Sequence, residues 1–311
     1  MDDRKQYLNL SDNAFYILNC DASAFAGKKV SSSRVENGFL NRIFLNFLED
    51  NEKMTALLEN RAIYQKGKQF NFRLRNEAEK KICSIESDKT GKIYQKFIGT
   101  DPNYFSRSKF LKAVFEKYAV LPYYERERVY FRKEFRLLQL YCEVSQKIEF
   151  DYRRADGNRH IRLLPYDIRL DEWSSYNYLI GITENNKIIN CRLSFIGNLQ
   201  ETSGEFPVLD RQAIENRIMT NGVQFLSGTP ETIIVRLTPK GQNMYSTMIY
   251  LRPHYTECDP ETGIYQFFCT STQASYYFFK FGQDAEMIQP VRLREQFLEN
   301  YHKSAENYKK L

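Results

Sequence analysis

Several enzyme motifs are missing from this chain of 311 residues, which has only three histidines and one tryptophan. The sequence contains no Gly-rich phosphate loop, no HExxH and no GxSxG, the signatures of P-loop nucleotide hydrolases, zinc proteases and α/β-hydrolases. These absences argue against all three classes, and so few histidines leave little scope for histidine-based catalysis. We therefore expect no enzymatic activity, no cofactor and no metal site.

The six cysteines are widely scattered and form no CxxC pair. In a chain of this length such spacing is typical of reduced thiols in the cytosol rather than of a disulfide framework or a zinc site. No apolar run approaches the ~20 residues that span a bilayer, and the first ten residues lack the apolar segment of a secretory signal. The sequence therefore predicts a cytoplasmic protein with no membrane partner.

Positive charge is concentrated in the middle of the chain. The whole sequence carries a formal charge of +6, whereas residues 61–160 alone hold 23 basic and 13 acidic side chains. The residues before and after this stretch together carry a net negative charge. A localised basic stretch indicates a polyanion partner better than a uniform surplus does, so nucleic acid is the first partner to consider.

The N-terminal third contains an internal repeat. Residues 6–11 and 70–75 alternate apolar and polar side chains as short half-buried strands do, and each strand precedes two helix-like segments. The second helices share an apolar spacing, with Phe39, Leu40, Ile43 and Phe44 in one and Phe110, Leu111, Val114 and Phe115 in the other. The order resembles the ribbon-helix-helix fold, whose two strands pair into one ribbon, so the repeat predicts that the pair forms within one chain.

The resemblance implies a nucleic-acid surface on this ribbon. Strand alternation places Asn71, Arg73 and Arg75 on its outward side, together with Tyr7, Asn9 and Ser11 of the first strand. In ribbon-helix-helix repressors the outward strand side chains read the major groove and helix N-termini hold phosphates, which adds Lys68 and Arg107 as candidate contacts. The alternative, that Arg73 and Arg75 only solvate an exposed strand, stays open at this point.

From residue 146 the pattern changes to short strands with tight turns, near residues 147–154, 159–165, 176–182 and 187–196, as in a small barrel. This region resembles the WYL domain, an SH3/Sm-like barrel of bacterial regulators. The matching positions are Tyr152, Pro165, Tyr178-Leu179, Arg192-Leu193 and Ile196. The departures are Asn177, Cys191, Ser194 and Phe195 in place of Trp, Phe, Asp and Arg, which weakens any transfer of the family's ligand pocket.

The last eighty residues add to this resemblance. Residues 275–290 followed by Leu293-Arg294 resemble the C-terminal extension of WYL proteins. The predicted fold class is α+β, with a ribbon-helix-helix-like, possibly tandem domain at 1–130, a WYL domain with its preceding helix at 131–198, a linker at 199–230 and a dimerisation domain at 231–311. The stripe of Leu293, Phe297 and Tyr301 on the final helix packs either on its own domain or on a partner chain, and we expect a homodimer.

Basic and aromatic side chains alternate on the barrel strands. Arginines can hold phosphates and aromatic rings can stack on bases, which suits single-stranded ligands. The candidate contacts in this region are Tyr152, Arg154, His160, Arg162, Tyr178 and Arg192. The alternatives are that the two tyrosines form barrel core and that the arginines pair with local carboxylates.

One pair invites an enzymatic interpretation. Arg154 and His160 fit the loose spacing of HEPN ribonucleases, which carry the pair on a helix. Here the intervening Asp156-Gly157-Asn158 is turn chemistry between two strands. We therefore expect no nuclease activity from this pair.

The domain order resembles the WYL-domain accessory proteins of type VI-D CRISPR systems. This resemblance implies a non-catalytic protein that binds single-stranded RNA and enhances the RNA-guided type VI-D ribonuclease. The alternative is a DNA-binding transcriptional regulator whose ribbon reads an operator while its WYL domain senses a ligand.

Overall fold

The computed structural model describes residues 5–26, 37–49, 58, 67–99, 101, 103–172 and 174–309. The chain divides into two compact units, each with its own core. The N-terminal unit comprises Met1–Arg136 with Leu193–Phe195, and the C-terminal unit comprises Leu137–Arg192 with Ile196–Leu311. Helices and antiparallel sheets are both present, so the predicted α+β class is confirmed. The four-part division of the sequence stays a prediction.

The N-terminal unit repeats the order strand, helix, helix. Its elements are β1 (Lys5–Leu10), α1 (Asp12–Ala26), α2 (Asn37–Glu49), β2 (Lys68–Arg73), α3 (Asn76–Ser87), α4 (Lys92–Lys96), α5 (Arg107–Val120), α6 (Tyr123–Tyr130) and the first part of α7 (Arg132–Val144). Strands β1 and β2 pair antiparallel, with Tyr7 opposite Asn71. The predicted pairing of two strands within one chain is therefore confirmed.

The two apolar stripes predicted from the repeat form the core of this unit. On α2, Phe39, Leu40, Ile43 and Phe44 are at most 2% exposed, and the matching residues of α5 are fully buried. The ring of Phe44 meets that of Phe110 edge to face, with centroids 6.0 Å apart. Since helical periodicity predicts both stripes, this part of the fold follows directly from the sequence.

The start of α1 is fixed by Ser11. Asp12 is the first residue of this helix and has the chemistry of a cap, but Ser11 caps it, because its Oγ accepts a hydrogen bond from the Ala14 amide at 3.2 Å. Ser11 is also held by Glu116, whose carboxylate accepts from the Ser11 amide at 2.6 Å and from its hydroxyl at 2.7 Å. Ser11 is therefore a junction between β1 and α5 rather than part of an outward strand face.

A five-stranded antiparallel sheet begins the C-terminal unit. Its strands are β3 (Ile148–Arg154), β4 (Gly157–Asp171), β5 (Tyr176–Thr183), β6 (Ile188–Arg192) and β7 (Ile196–Glu201), in the spatial order β6-β5-β4-β3-β7. The expected turn before residue 159 is present but shorter, since Arg154 pairs with Gly157 and β4 already begins there, with a φ of 115° at Gly157 that favours glycine. Arg154 and His160 therefore lie on a hairpin and not on a helix.

The barrel prediction needs two corrections. The single strand expected over residues 187–196 is two strands, because the 3₁₀ turn Leu193–Phe195 separates β6 from β7. Strands β6 and β7 are the edges of the sheet, and no ladder joins them within the described residues. The sheet is therefore not a closed SH3/Sm-like barrel.

A second sheet and further helices complete the C-terminal unit. The remaining elements are α8 (Arg211–Asn221), β8 (Glu231–Leu237), α9 (Pro239–Thr247), β9 (Tyr255–Asp259), β10 (Ile264–Cys269), α10 (Ser271–Phe278), β11 (Ala285–Gln289) and α11 (Val291–Lys309). The strands of this sheet lie in the order β11-β8-β10-β9. On α11, Leu293 is fully buried and Phe297 is 5% exposed, and Tyr301 packs against the same core. Of the two readings of this stripe, packing on its own domain is therefore the correct one.

Candidate nucleic-acid interface

The ribbon formed by β1 and β2 has one apolar and one polar face. Leu8, Leu10 and Phe72 point inward and are at most 2% exposed. Phe72 packs edge to face on Phe115 of α5, with ring centroids 5.5 Å apart. Because alternate side chains of a strand lie on opposite faces, the residues between these anchors are directed away from the core.

The outward face of the ribbon is polar and carries one large exposed aromatic ring. We call these six residues the ribbon face, and they are Lys5, Tyr7, Asn9, Gln69, Asn71 and Arg73. Tyr7 is 69% exposed, and the Lys5 ammonium lies 5.5 Å from the centroid of its ring. The sequence predicted Tyr7, Asn9, Asn71 and Arg73 here and missed the other two, which one further step of the same alternation would have found.

The pairing register gives the ribbon face a direction. Lys5 lies opposite Arg73, whereas Asn9 lies opposite Gln69. One end is therefore cationic and the other carries two neutral amides, with the Tyr7–Asn71 pair between them. Cations can hold phosphates, while amides and an exposed ring suit base edges and base faces.

The other predicted contacts near the ribbon differ in how free their charges are. Lys68 is exposed, with its ammonium 5.2 Å from the centroid of the Phe15 ring. Arg75 is exposed, and its backbone amide donates to Asn41 Oδ1 at 2.8 Å. Neither side chain forms an ion pair with a described carboxylate, so both cations can face a polyanion.

Arg107 lies in a different environment from Lys68 and Arg75. Its guanidinium donates to Glu79 Oε1 at 2.8 Å and to both carboxylate oxygens of Glu86 at 2.7 and 2.6 Å. The hydrogen bonds to Glu86 first, and those to Glu79, raise the pKa of Arg107 above its ordinary value. These bonds connect α5 to α3. Because its charge is shared between two carboxylates, Arg107 is poorly placed to attract a phosphate.

The structure brings three of the predicted residues in the C-terminal unit together. The Tyr152 hydroxyl accepts a hydrogen bond from the Arg192 backbone amide at 3.2 Å, and Tyr178 lies directly opposite Arg192 on the neighbouring strand. The Arg192 guanidinium carbon lies 3.1 Å from the centroid of the Tyr176 ring. Burial raises the pKa of Tyr178 to about 12, so its hydroxyl stays protonated and neutral at physiological pH.

The remaining predicted residues line the β3–β4 hairpin. Arg162 donates to Glu184 and to the Ser203 carbonyl, and its Nε lies 3.6 Å from Glu149. His160 is exposed, with its Nδ1 3.4 Å from Asp151 Oδ1. Arg154 is exposed and forms no hydrogen bond or ion pair with a described residue, so it is the freest cation of this hairpin.

Three of the described cysteines are buried, away from solvent. Burial raises the pKa of the Cys142, Cys191 and Cys269 thiols to about 12 in each case. Among the described ranges no cluster of three His, Cys, Asp or Glu side chains could hold a metal ion. Within the same ranges, every helix is too short or too polar to cross a membrane.

Comparison with known proteins reveals a shared fold rather than a sequence family. No protein-family model matches the sequence, and no curated protein matches it. The chain is similar to a solved structure described as the crystal structure of a CRISPR Cas-related protein, with a TM-score of 0.76 and 21% identity over 98% of this chain and 94% of that chain.

A second solved structure is proteasome accessory factor B/C of Arthrobacter aurescens. It matches with a TM-score of 0.31 and 11% identity over 74% of this chain and 35% of that chain, which is too low to indicate a common fold. The first likeness establishes that this chain shares its fold, nearly end to end, with the CRISPR Cas-related protein.

Proposed function

We propose that this chain is a non-catalytic accessory protein of a CRISPR system that binds single-stranded RNA and enhances an RNA-guided type VI-D ribonuclease. The observation that carries the proposal is the match in fold to a CRISPR Cas-related protein over almost the whole length of both chains. The order of a ribbon with its helices, a WYL-like sheet and a C-terminal extension supports it.

The ribbon face supplies the contact chemistry. An exposed tyrosine beside a lysine offers a stacking surface next to a cation, a combination that binds single strands with little sequence preference. We propose that the N-terminal unit is a single-chain ribbon-helix-helix domain in which Tyr7 stacks on a base. In the C-terminal unit, Arg154 offers a further phosphate contact.

The experiment is a binding comparison of single- and double-stranded RNA and DNA of one sequence, each at several stated salt concentrations. We expect the tightest binding to single-stranded RNA. Tyr7→Ala removes a stacking ring worth about 1–3 kcal/mol, so it should weaken binding by roughly 5- to 150-fold. Tyr104→Ala is the matched control, because Tyr104 is 61% exposed in the same unit and lies outside the ribbon face.

The enhancement itself needs a second assay. We expect the purified protein to cleave no RNA alone and to raise the cleavage rate of a type VI-D effector loaded with its guide. Equal rates with and without the protein would contradict the accessory role. RNA cleavage by the protein alone, abolished in His160→Ala, would contradict its non-catalytic nature.

A DNA-binding regulator is the second candidate. The observation in its favour is the two-stranded ribbon with six outward polar or aromatic residues, since a major groove admits such a ribbon. Tighter binding to duplex DNA than to single-stranded RNA, abolished by Arg73→Ala with Arg75→Ala, would establish this alternative.

We also propose that the protein is a homodimer, as the WYL resemblance implies. The stripe on α11 does not support this, because it packs on its own core. Light scattering at micromolar concentration is the test, and a monomer would contradict the proposal.

A further inference from the structure

An open groove of about 640 Å³ lies in the N-terminal unit between α2, the start of α3 and α7. Its lining includes three cations, Arg42, Arg75 and Lys133, and two carboxylates, Glu77 and Glu134. The volume is within the range of small-ligand sites. No sequence pattern singles out this place, because its residues come from three separate segments.

Arg42 is held in one orientation inside the groove. Its Nη2 donates to both carboxylate oxygens of Glu134 at 2.7 Å, and its Nε donates to the Tyr130 carbonyl at 2.7 Å. The guanidinium carbon also lies 4.5 Å from the centroid of the Tyr130 ring. Nη1 forms no hydrogen bond with a described residue, so a pre-organised donor remains for a ligand at little entropic cost.

The other cations of the groove have no carboxylate partner among the described residues. Arg75 and Lys133 are both exposed, and neither forms an ion pair within the described ranges. The charge of Glu134 is already paired with Arg42, which leaves Glu77 as the one unpaired carboxylate among the five charged groups named above. The groove therefore favours an anion, and Glu77 opposes that preference.

The groove continues directly from the cationic end of the ribbon face. Asn41 is 2% exposed and lines the groove. Its Nδ2 donates to the Arg73 carbonyl at 3.0 Å, and its Oδ1 accepts from the Arg75 amide at 2.8 Å. Asn37 adds a link, because its Oδ1 accepts from the Arg73 amide at 3.2 Å. The start of α2 thus fixes the end of β2 against the rim of the groove.

We propose that a single nucleic-acid strand leaving the Lys5–Arg73 end of the ribbon face places its phosphates in this groove, against the charges of Arg75 and Lys133, while Arg42 Nη1 donates a further hydrogen bond. This inference rests on the proposed nucleic-acid binding and assigns a path to it. At the other end of the ribbon face Asn9 and Gln69 are neutral, and Lys68 is the one cation of the two strands nearby, whereas three cations line the groove.

The test uses oligouridylates of graded length, from about 4 to about 16 nucleotides, with the full-length chain. Arg75→Ala with Lys133→Ala should leave the shortest ligands unaffected, since those occupy only the ribbon face. For longer ligands the double variant should bind more weakly. Its slope of log affinity against log salt should also fall by ~0.7 for each phosphate of a single strand that the variant no longer neutralises.

Two further variants distinguish an effect of the charges inside the groove from an effect of the total positive charge of the protein. Lys81→Ala with Lys109→Ala removes the same charge from exposed positions of α3 and α5 outside the groove, and it should keep the wild-type slope for long ligands. Glu77→Gln removes the opposing carboxylate and should tighten binding of long ligands only. A tightening of this kind cannot result from a misfolded variant.

The outcomes separate this inference from the function on which it rests. If the wild-type chain binds no nucleic acid at any length, the proposed function fails and the groove has no ligand. If the wild-type chain binds while Arg75→Ala with Lys133→Ala keeps its affinity and salt slope at every length, the function stands and the groove proposal is refuted. Equal weakening by the groove pair and the control pair would also refute it.

Discussion

The N-terminal unit contains a buried ion pair whose removal has a predictable cost. Asp21 is 1% exposed, Arg126 is 8% exposed and Tyr118 is fully buried. The carboxylate of Asp21 accepts from Arg126 Nε at 2.6 Å, from Arg126 Nη2 at 3.2 Å and from the Tyr118 hydroxyl at 2.8 Å. Burial first, and then the charge of Asp21, raise the pKa of Tyr118 well above its ordinary value. These contacts connect α1 with both α5 and α6.

Asp21→Ala leaves a guanidinium and a hydroxyl buried without their acceptor. Breaking a buried pair by removing one partner typically costs about 3–5 kcal/mol, which is a large part of the stability of most domains. Tyr118→Phe removes only the hydroxyl and keeps the ion pair, so it should cost about 1.5–3 kcal/mol, as for a hydrogen bond to a charged group. The expected order of destabilisation is therefore Asp21→Ala above Tyr118→Phe.

The assay is native-state hydrogen exchange of the α1 amides, because a chain with two compact units need not unfold in one step. A destabilisation of about 3–5 kcal/mol lowers protection by a hundredfold or more. Asp21→Leu with Arg126→Met replaces the whole pair by apolar groups and should restore part of the stability. The reasoning is refuted if Asp21→Ala lowers the free energy of unfolding by less than about 1 kcal/mol, or if the double variant is less stable than Asp21→Ala.

Two further predictions concern surface-facing ion pairs. Hydrogen bonds from Arg169, and then from Tyr166, lower the pKa of Glu215. The ionised carboxylate therefore stabilises the folded state above the ordinary glutamate pKa of about 4.3, and this stabilisation is lost as the pH falls below that value. The unfolding midpoint of wild type should therefore drop more steeply below about pH 5 than that of Glu215→Gln, and parallel curves would contradict this. Arg107→Ala should lower the thermal midpoint without changing RNA affinity, whereas weaker binding at an unchanged midpoint would support the phosphate contact suggested by the sequence.

Periodicity predicted the parts of the fold that depend on local pattern. The apolar stripes of α2 and α5 and the alternation of β1 and β2 each place their residues on one face, and burial follows those faces closely. The hairpin between β3 and β4 was equally predictable, because Asp156 and Gly157 favour a turn through their own local conformational preferences. In these cases, short-range sterics and the hydrophobic effect lead to the same structure.

Features that depend on long-range partners could not be predicted in this way. Arg75 and Arg107 both stand at the start of a helix, yet only Arg107 lies between two carboxylates of another helix. The break between β6 and β7 interrupts a run of residues that alternates like one strand, so its pattern contains no turn signal. The groove escaped prediction for the same reason, since Arg42 and Lys133 are ninety-one positions apart in the chain.

The distinction between paired and unpaired cations bears on which unit would contact the proposed nucleic acid. When a guanidinium that is already bonded to carboxylates binds a phosphate, it either loses those bonds or keeps carboxylates that repel the phosphate. Little net attraction therefore remains. Arg107 and Arg162 each have two carboxylate neighbours, whereas Lys5, Lys68 and Arg75 have none among the described residues. Cations without a described carboxylate partner are therefore present at the ribbon, and Arg154, Arg217 and Arg252 are among those of the C-terminal unit. Under the proposed function, the ribbon cations would therefore attract phosphates more strongly than Arg107 or Arg162, and the tyrosines beside Arg192 would contribute shape and packing rather than charge.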